Sequence, residues 1–220
     1  MKNLLTILCF ASFTSAVFAQ TSIEKSPFCE AVHVDEAPFS AINAYSENDL
    51  TDTATVPSYE TMTHKLKLTG VVYENDGTTP ATNVIVYIEL ANEAGEYELV
   101  NEAGAHHVNH RAWIKTGVDG RYTFYAFEPG ATEQPMTKPT RHRPQHIHVT
   151  VKEEGQPAYE LASFLFESDP LLTKSCKKKL TKRGLDIVLT TVTQDDILVA
   201  EKNITLEPKS TTADARVASR

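Results

Sequence analysis

The rhythm of apolar and polar residues changes near residue 64. From there "HKLKLTGVVY" (64–73) alternates apolar and polar side chains, the period of a strand with one buried face. "NDGTTPATN" (75–83) is a Gly/Pro/Asn turn cluster, and "VIVYIEL" (84–90) is a β-branched run suited to a buried strand. "RAWIKTGVDGRYTFYAF" (111–127) predicts two short strands about a turn at Asp119-Gly120. "HIHVTVKE" (146–153), "ELASFLFE" (160–167), "DIVLTTVT" (186–193) and "ILVAEKNITLE" (197–207) follow at similar spacing, with room for a helix near 170–184. Short strands with turn signals between them predict an all-β fold, an antiparallel β-sandwich. The sandwich is expected over residues 61–207. Residues 20–60 lack sustained periodicity and read as an irregular N-terminal arm. "PKSTTADARVASR" (208–220) lacks apolar anchors and is expected to be a disordered tail.

The first residues change the picture of where the chain works. Lys2, an apolar run from Leu4 to Val17 and a small-residue exit at Ala19 form the pattern of a secretory signal peptide over 1–19, cut after Ala19. The run is too short and interrupted for a membrane span of about 20 residues. A secreted or periplasmic protein is expected. Cys29 and Cys176 then remain, and in an oxidising compartment they can staple the arm to the domain; two unpaired thiols are the alternative. The net charge of −8 argues against nucleic acid, because no basic stripe is large enough to track phosphates. The basic cluster "KSCKKKLTKR" (174–183) reads as a solvated loop or helix surface. Edge strands and an arm are compatible with a homodimer.

Candidate chemistry lies in "RHRPQHIHVTV" (141–151). On a strand His146 and His148 share one face while Ile147 takes the other, so both imidazoles can reach one metal. Taken alone, the pair is also compatible with a surface or hydrogen-bonded couple. Three segments in order add to it: the Arg-Pro-x-His-x-His block, the Asp-Gly-x-Tyr-x-Phe turn and strand, and Phe-Glu-x-Asp-Pro. Over roughly residues 66–172 the chain resembles the intradiol ring-cleavage dioxygenases, the protocatechuate and catechol dioxygenase family. The resemblance implies a β-sandwich of the transthyretin-like type holding a non-haem Fe(III), with a catecholic substrate and O2 as partners. It places metal ligands at His146, His148 and Tyr97, the last after the "NEAGEY" turn, and an active-site arginine at Arg143. A phenolate is a hard anionic donor that suits Fe(III).

The sequence departs from that family at two positions. "EPGAT" puts Thr132 where a second ligand tyrosine stands, and "LASFLF" puts Ser163 in place of a glutamine. Other residues offered as completing the site are His106, His107 or His110 as a third imidazole, with Glu133 and Tyr125 as further candidates. A third imidazole would make the site more welcoming to copper or zinc. The competing reading is a non-enzymatic sandwich of the transthyretin-like or carboxypeptidase-regulatory kind, or a dioxygenase relative that has lost turnover. Those sandwiches do not predict the Arg-Pro-x-His-x-His block.

Overall fold

The computed structural model describes residues 41–46, 49–102, 104–134 and 138–208. The leader (1–19), Cys29 and residues 209–220 lie outside the described residues. In chain order the elements are β1 (Thr53–Thr55), β2 (Lys65–Tyr73), β3 (Ile85–Leu90), β4 (Leu99–Glu102), β5 (Ala105–Val108), β6 (Arg111–Lys115), β7 (Arg121–Phe127) and β8 (Thr132–Gln134). They continue as β9 (Arg141–Arg143), β10 (His146–Lys152), β11 (Tyr159–Phe166), α1 (Lys174–Lys182), β12 (Val188–Leu189), β13 (Thr191–Gln194), β14 (Ile197–Glu201) and β15 (Ile204–Thr205).

One sheet runs β1-β7-β2-β14-β13, with β15 also on β2, and the other runs β12-β11-β10-β3-β6. The ladders β2–β7, β3–β6, β3–β10 and β10–β11 are antiparallel, as the alternating pattern predicts. β1 joins β7, β12 joins β11, and β14 and β15 join β2 in parallel, whereas β13 and β14 are antiparallel. A parallel neighbour needs a long connection, and the stretch through α1 that separates β11 from β12 is one.

The alternation of β2 is obeyed residue by residue: Leu66, Leu68 and Val72 are buried between half-exposed neighbours. They meet Phe124 of β7, Val86, Ile88 and Leu90 of β3, and Ile147, Val149 and Val151 of β10 in one cluster. Each such side chain contributes roughly 1.5–3 kcal/mol on burial. β3 is buried along its whole length because its second face, at Ile85 and Tyr87, is covered by Ala41 and Ile42. Trp113 fastens that cover, its Nε1 donating to the Ala41 carbonyl at 3.1 Å.

Part of the segment read as an irregular arm is therefore built into the sandwich. β1 pairs with β7, Thr53 opposite Thr123, although its Thr-Ala-Thr sequence carries no apolar signal. α1 forms where a helix was allowed. Thr173 caps it by accepting from Cys176 N at 3.2 Å, and Cys176 and Leu180, four residues apart, face the core while most of its lysines face water. Cys176 is disulfide-bonded; its expected partner, Cys29, lies outside the described residues. No helix among the described residues is long and apolar enough to cross a membrane.

Candidate metal centre

β10 lies between β3 and β11, and its alternation sends Ile147 into the core while His146 and His148 project from the opposite face. Both imidazoles are oriented from behind. His146 Nδ1 lies 2.6 Å from the Pro144 carbonyl, which can only accept, so Nδ1 carries the proton and Nε2 keeps its lone pair. His148 Nδ1 lies 3.1 Å from Ser163 Oγ on β11. The entry to β10 is pinned by Asp169, whose carboxylate accepts from Gln145 N at 2.5 Å and from Leu171 N at 2.7 Å. Those bonds give the Phe-Glu-x-Asp-Pro segment its role: it fixes the backbone immediately before His146.

Tyr97 arrives from a separate turn. Asn92 Oδ1 accepts from Ala94 N and Glu96 N, each at 3.0 Å, and the Asn92 carbonyl accepts from Gly95 N and Gly130 N, each at 2.9 Å. Gly95 has φ +84, and Gly95 and Gly130 pack backbone to backbone against Ala131 and Glu93 where no Cβ fits. The "NEAGEY" turn is thereby clamped to the Pro129-Gly130 segment, and Tyr97 reaches over β10. Tyr97 keeps 36% of its surface exposed, yet its hydroxyl end lies between the two histidines.

Three atoms converge there. Tyr97 Oη is 3.0 Å from His146 Nε2 and 2.9 Å from His148 Nε2, and the two nitrogens are 3.2 Å apart. The Tyr97 hydroxyl can donate to the bare His146 Nε2, and its bond with His148 Nε2 runs in the direction set by the His148 tautomer. Donor atoms at this spacing can be reached by a single ion. The electrostatics agree. Burial lowers both histidine pKa values, that of His148 to about 3 with help from His146 and Arg143, so both rings are neutral near pH 7. Burial, reinforced by Glu89, pushes the Tyr97 phenol up, while Arg143 opposes the rise. Glu89 is itself buried, sits opposite His148 in the β3–β10 ladder and accepts from Tyr87 Oη at 2.5 Å.

A cleft of about 490 Å³ opens beside the triangle, lined by Tyr97, Thr132, Arg143, Glu96, Glu133 and His142. The Arg143 side chain makes no hydrogen bond or ion pair among the described residues, and its charge is felt by Tyr97, His146 and His148 alike. Thr132 is buried on β8 directly opposite Arg143 of β9. Glu133 alternates with Thr132 along β8 and pairs with His142 of β9, and both of these also border the cleft.

The third-imidazole expectation is not met. Among the described residues no third His, Cys, Asp or Glu joins the pair with metal-binding spacing. His106 and His107 fall on adjacent positions of β5, so they face opposite ways. His110 is fully buried elsewhere, edge-on to Phe127, with Nδ1 3.3 Å from the Pro57 carbonyl and Nε2 3.3 Å from Glu98. Tyr125 stacks edge-on with Tyr59 and lies across from Lys67 on β2. The sequence offered no local sign of Ser163 as a histidine partner.

Fold and site together define a β-sandwich with a Tyr-His-His constellation beside an arginine-lined cleft. A family model described as Dioxygenase matches residues 36–208. Over 119 residues the chain is 34% identical to catechol 1,2-dioxygenase 1 of Acinetobacter lwoffii, covering 49% of this chain and 37% of that protein. Over 132 residues it is 30% identical to the protocatechuate 3,4-dioxygenase beta chain of Burkholderia cepacia, covering 57% of this chain and 54% of that one. The matches thus span about half or less of those relatives' lengths. Among solved structures, the dioxygenase domain of a dioxygenase carbohydrate-binding protein fusion from Streptomyces sp. SirexAA-E superposes with TM-score 0.53 at 20% identity, over 74% of this chain and 92% of that one. Catechol 1,2-dioxygenase from Pseudomonas arvilla C-1 superposes with TM-score 0.57 at 16% identity, over 74% of this chain and 59% of that one. The chain belongs to the intradiol ring-cleavage dioxygenase family.

Proposed function

We propose that this protein is an exported Fe(III) dioxygenase that cleaves a catechol between its two hydroxylated carbons, with Tyr97, His146 and His148 holding the ion. The observation that carries the reading is the convergence of Tyr97 Oη, His146 Nε2 and His148 Nε2 within 3.2 Å of one another. One anionic oxygen and two neutral imidazoles form a donor set that suits Fe(III). Bound there, ferric iron supplies a Lewis acid for both catechol oxygens and renders the ring electron-rich toward O2. Arg143 faces the same cleft and stabilises negative charge on the ring carbon that meets O2. Insertion of both oxygen atoms between the hydroxylated carbons gives a muconate-type diacid.

Thr132 favours a second reading. Its hydroxyl cannot accept a proton as a tyrosinate does, so the catechol proton must leave to a base other than residue 132. Where no such base serves, the protein binds metal and a phenolic ligand without turning over.

Metal analysis, a visible spectrum and O2 uptake with catechol separate the readings. Bound iron, a burgundy tyrosinate band and O2 uptake with formation of a diacid support the enzyme. Bound iron and colour without O2 uptake support the second reading. A colourless, iron-free protein that leaves catechols intact overturns both.

A further inference from the structure

We propose that Ser163 is the positioning residue for His148, accepting its Nδ1 proton and so holding the Nε2 lone pair toward Tyr97 and His146. This inference rests on the ligand set proposed above.

The argument begins in the ladder between β10 and β11. Ile147 pairs with Phe164, but the next pair is Val149 with Leu161, so Ala162 and Ser163 together stand opposite His148. That extra residue is a β-bulge, a device that re-aims a side chain locally. Here it brings Ser163, 1% exposed, behind the His148 ring with Oγ 3.1 Å from Nδ1. The opposite ring nitrogen is the one 2.9 Å from Tyr97 Oη and 3.2 Å from His146 Nε2.

A neutral imidazole carries one proton, on one nitrogen or the other. A proton on Nε2 would occupy the position where a cation must bind. Ser163 Oγ stands where it can accept that proton at Nδ1, although a hydroxyl, unlike the Pro144 carbonyl behind His146, can also donate. The two histidines are thus oriented by unlike partners, one main-chain and one side-chain, and only the second can be removed by substitution. The serine that stands in the place of a family glutamine acquires a role of its own.

The test is iron retention against graded chelator for wild type, Ser163→Ala and Ser163→Thr, together with nitrogen NMR of His148 in metal-free protein. Loss of an oriented outer partner lowers metal affinity about 10–100-fold. Ser163→Ala is expected to show that loss, and Ser163→Thr, which keeps the hydroxyl, to recover most of it. Wild-type His148 is expected to carry its proton on Nδ1, with slow exchange that Ser163→Ala abolishes. Wild-type iron affinity in Ser163→Ala, or a wild-type Nδ1 without a proton, overturns the proposal. The NMR result stands whether or not the wild type takes up iron, so failure of the iron reading is distinguishable from failure of the serine's role.

Discussion

Gly95 and Gly130 meet backbone against backbone, leaving room for a side chain on neither. A Cβ on Gly130 would fall 2.5 Å from the Glu93 carbonyl oxygen, a main-chain atom inside the turn that delivers Tyr97. Gly130→Ala is therefore expected to push that turn off β8, at about 1–3 kcal/mol of stability as for other overpacked sites. Urea unfolding should register the loss, and the tyrosinate band should fade with it. Gly155→Ala is the control, because nothing lies within 4 Å of where its methyl group would stand, although Gly155, unlike Gly130, has positive φ (+72). It should cost stability through strain alone and leave colour and iron content as in the wild type.

Asp169 ties the loop before α1 to the entry of β10 through Gln145 N and Leu171 N. An asparagine there has one acceptor oxygen where the carboxylate has two, so one part-buried backbone N–H loses its partner. Asp169→Asn should cost about 1–3 kcal/mol. Because the freed backbone directly precedes His146, iron affinity should fall as well, read by chelator competition. A variant that unfolds earlier yet binds iron normally would show that the tie serves stability alone.

Asp76 predicts an acid-sensitive contribution far from the site. Its carboxylate accepts from Thr78 N and Thr79 N at 2.8 Å each and from Thr79 Oγ1 at 2.6 Å, which holds its pKa down to about 2. The folded value lies below the ordinary 3.8, so the turn's contribution is complete above about pH 4 and is lost as pH falls toward 2. The difference in urea midpoint between wild type and Asp76→Ala should be constant from pH 7 to 5 and shrink below pH 4. A difference independent of pH would assign the effect to something other than the charge.

What was legible in the chain follows from what a local pattern can encode. His146 and His148 were readable because strand alternation alone places them on one face, and Tyr97 only because the family resemblance puts a tyrosine after the Asn and Gly turn. The core strands were readable from β-branched and alternating runs. β1, β8 and β9 were not, since Thr-Ala-Thr, Thr-Glu-Gln and Arg-His-Arg carry no apolar period; β1 is held by pairing with the distant β7, and β8 and β9 by pairing with each other. The histidine-rich stretch became the β4–β5 hairpin, where period two separates neighbours that the sequence set side by side. Ser163 read only as a missing glutamine because its aim depends on a register shift between two strands, which no short segment specifies.

Thr132 is the position where one substitution tests the chemistry most directly. It is 6% exposed, stands opposite Arg143 and borders the cleft that Tyr97 lines. The cleft of about 490 Å³ gives a larger side chain space to enter without displacing the core. Thr132→Tyr is expected to add a second phenolate beside the proposed iron. The visible band should strengthen and shift, and catechol cleavage should rise at least about tenfold, equivalent to about 1.4 kcal/mol off the barrier. Thr132→Phe, which brings the same ring without the hydroxyl, should do neither. Equal behaviour of the two variants would mean that residue 132 acts by filling the cleft, and that the base taking the catechol proton must be sought on another wall.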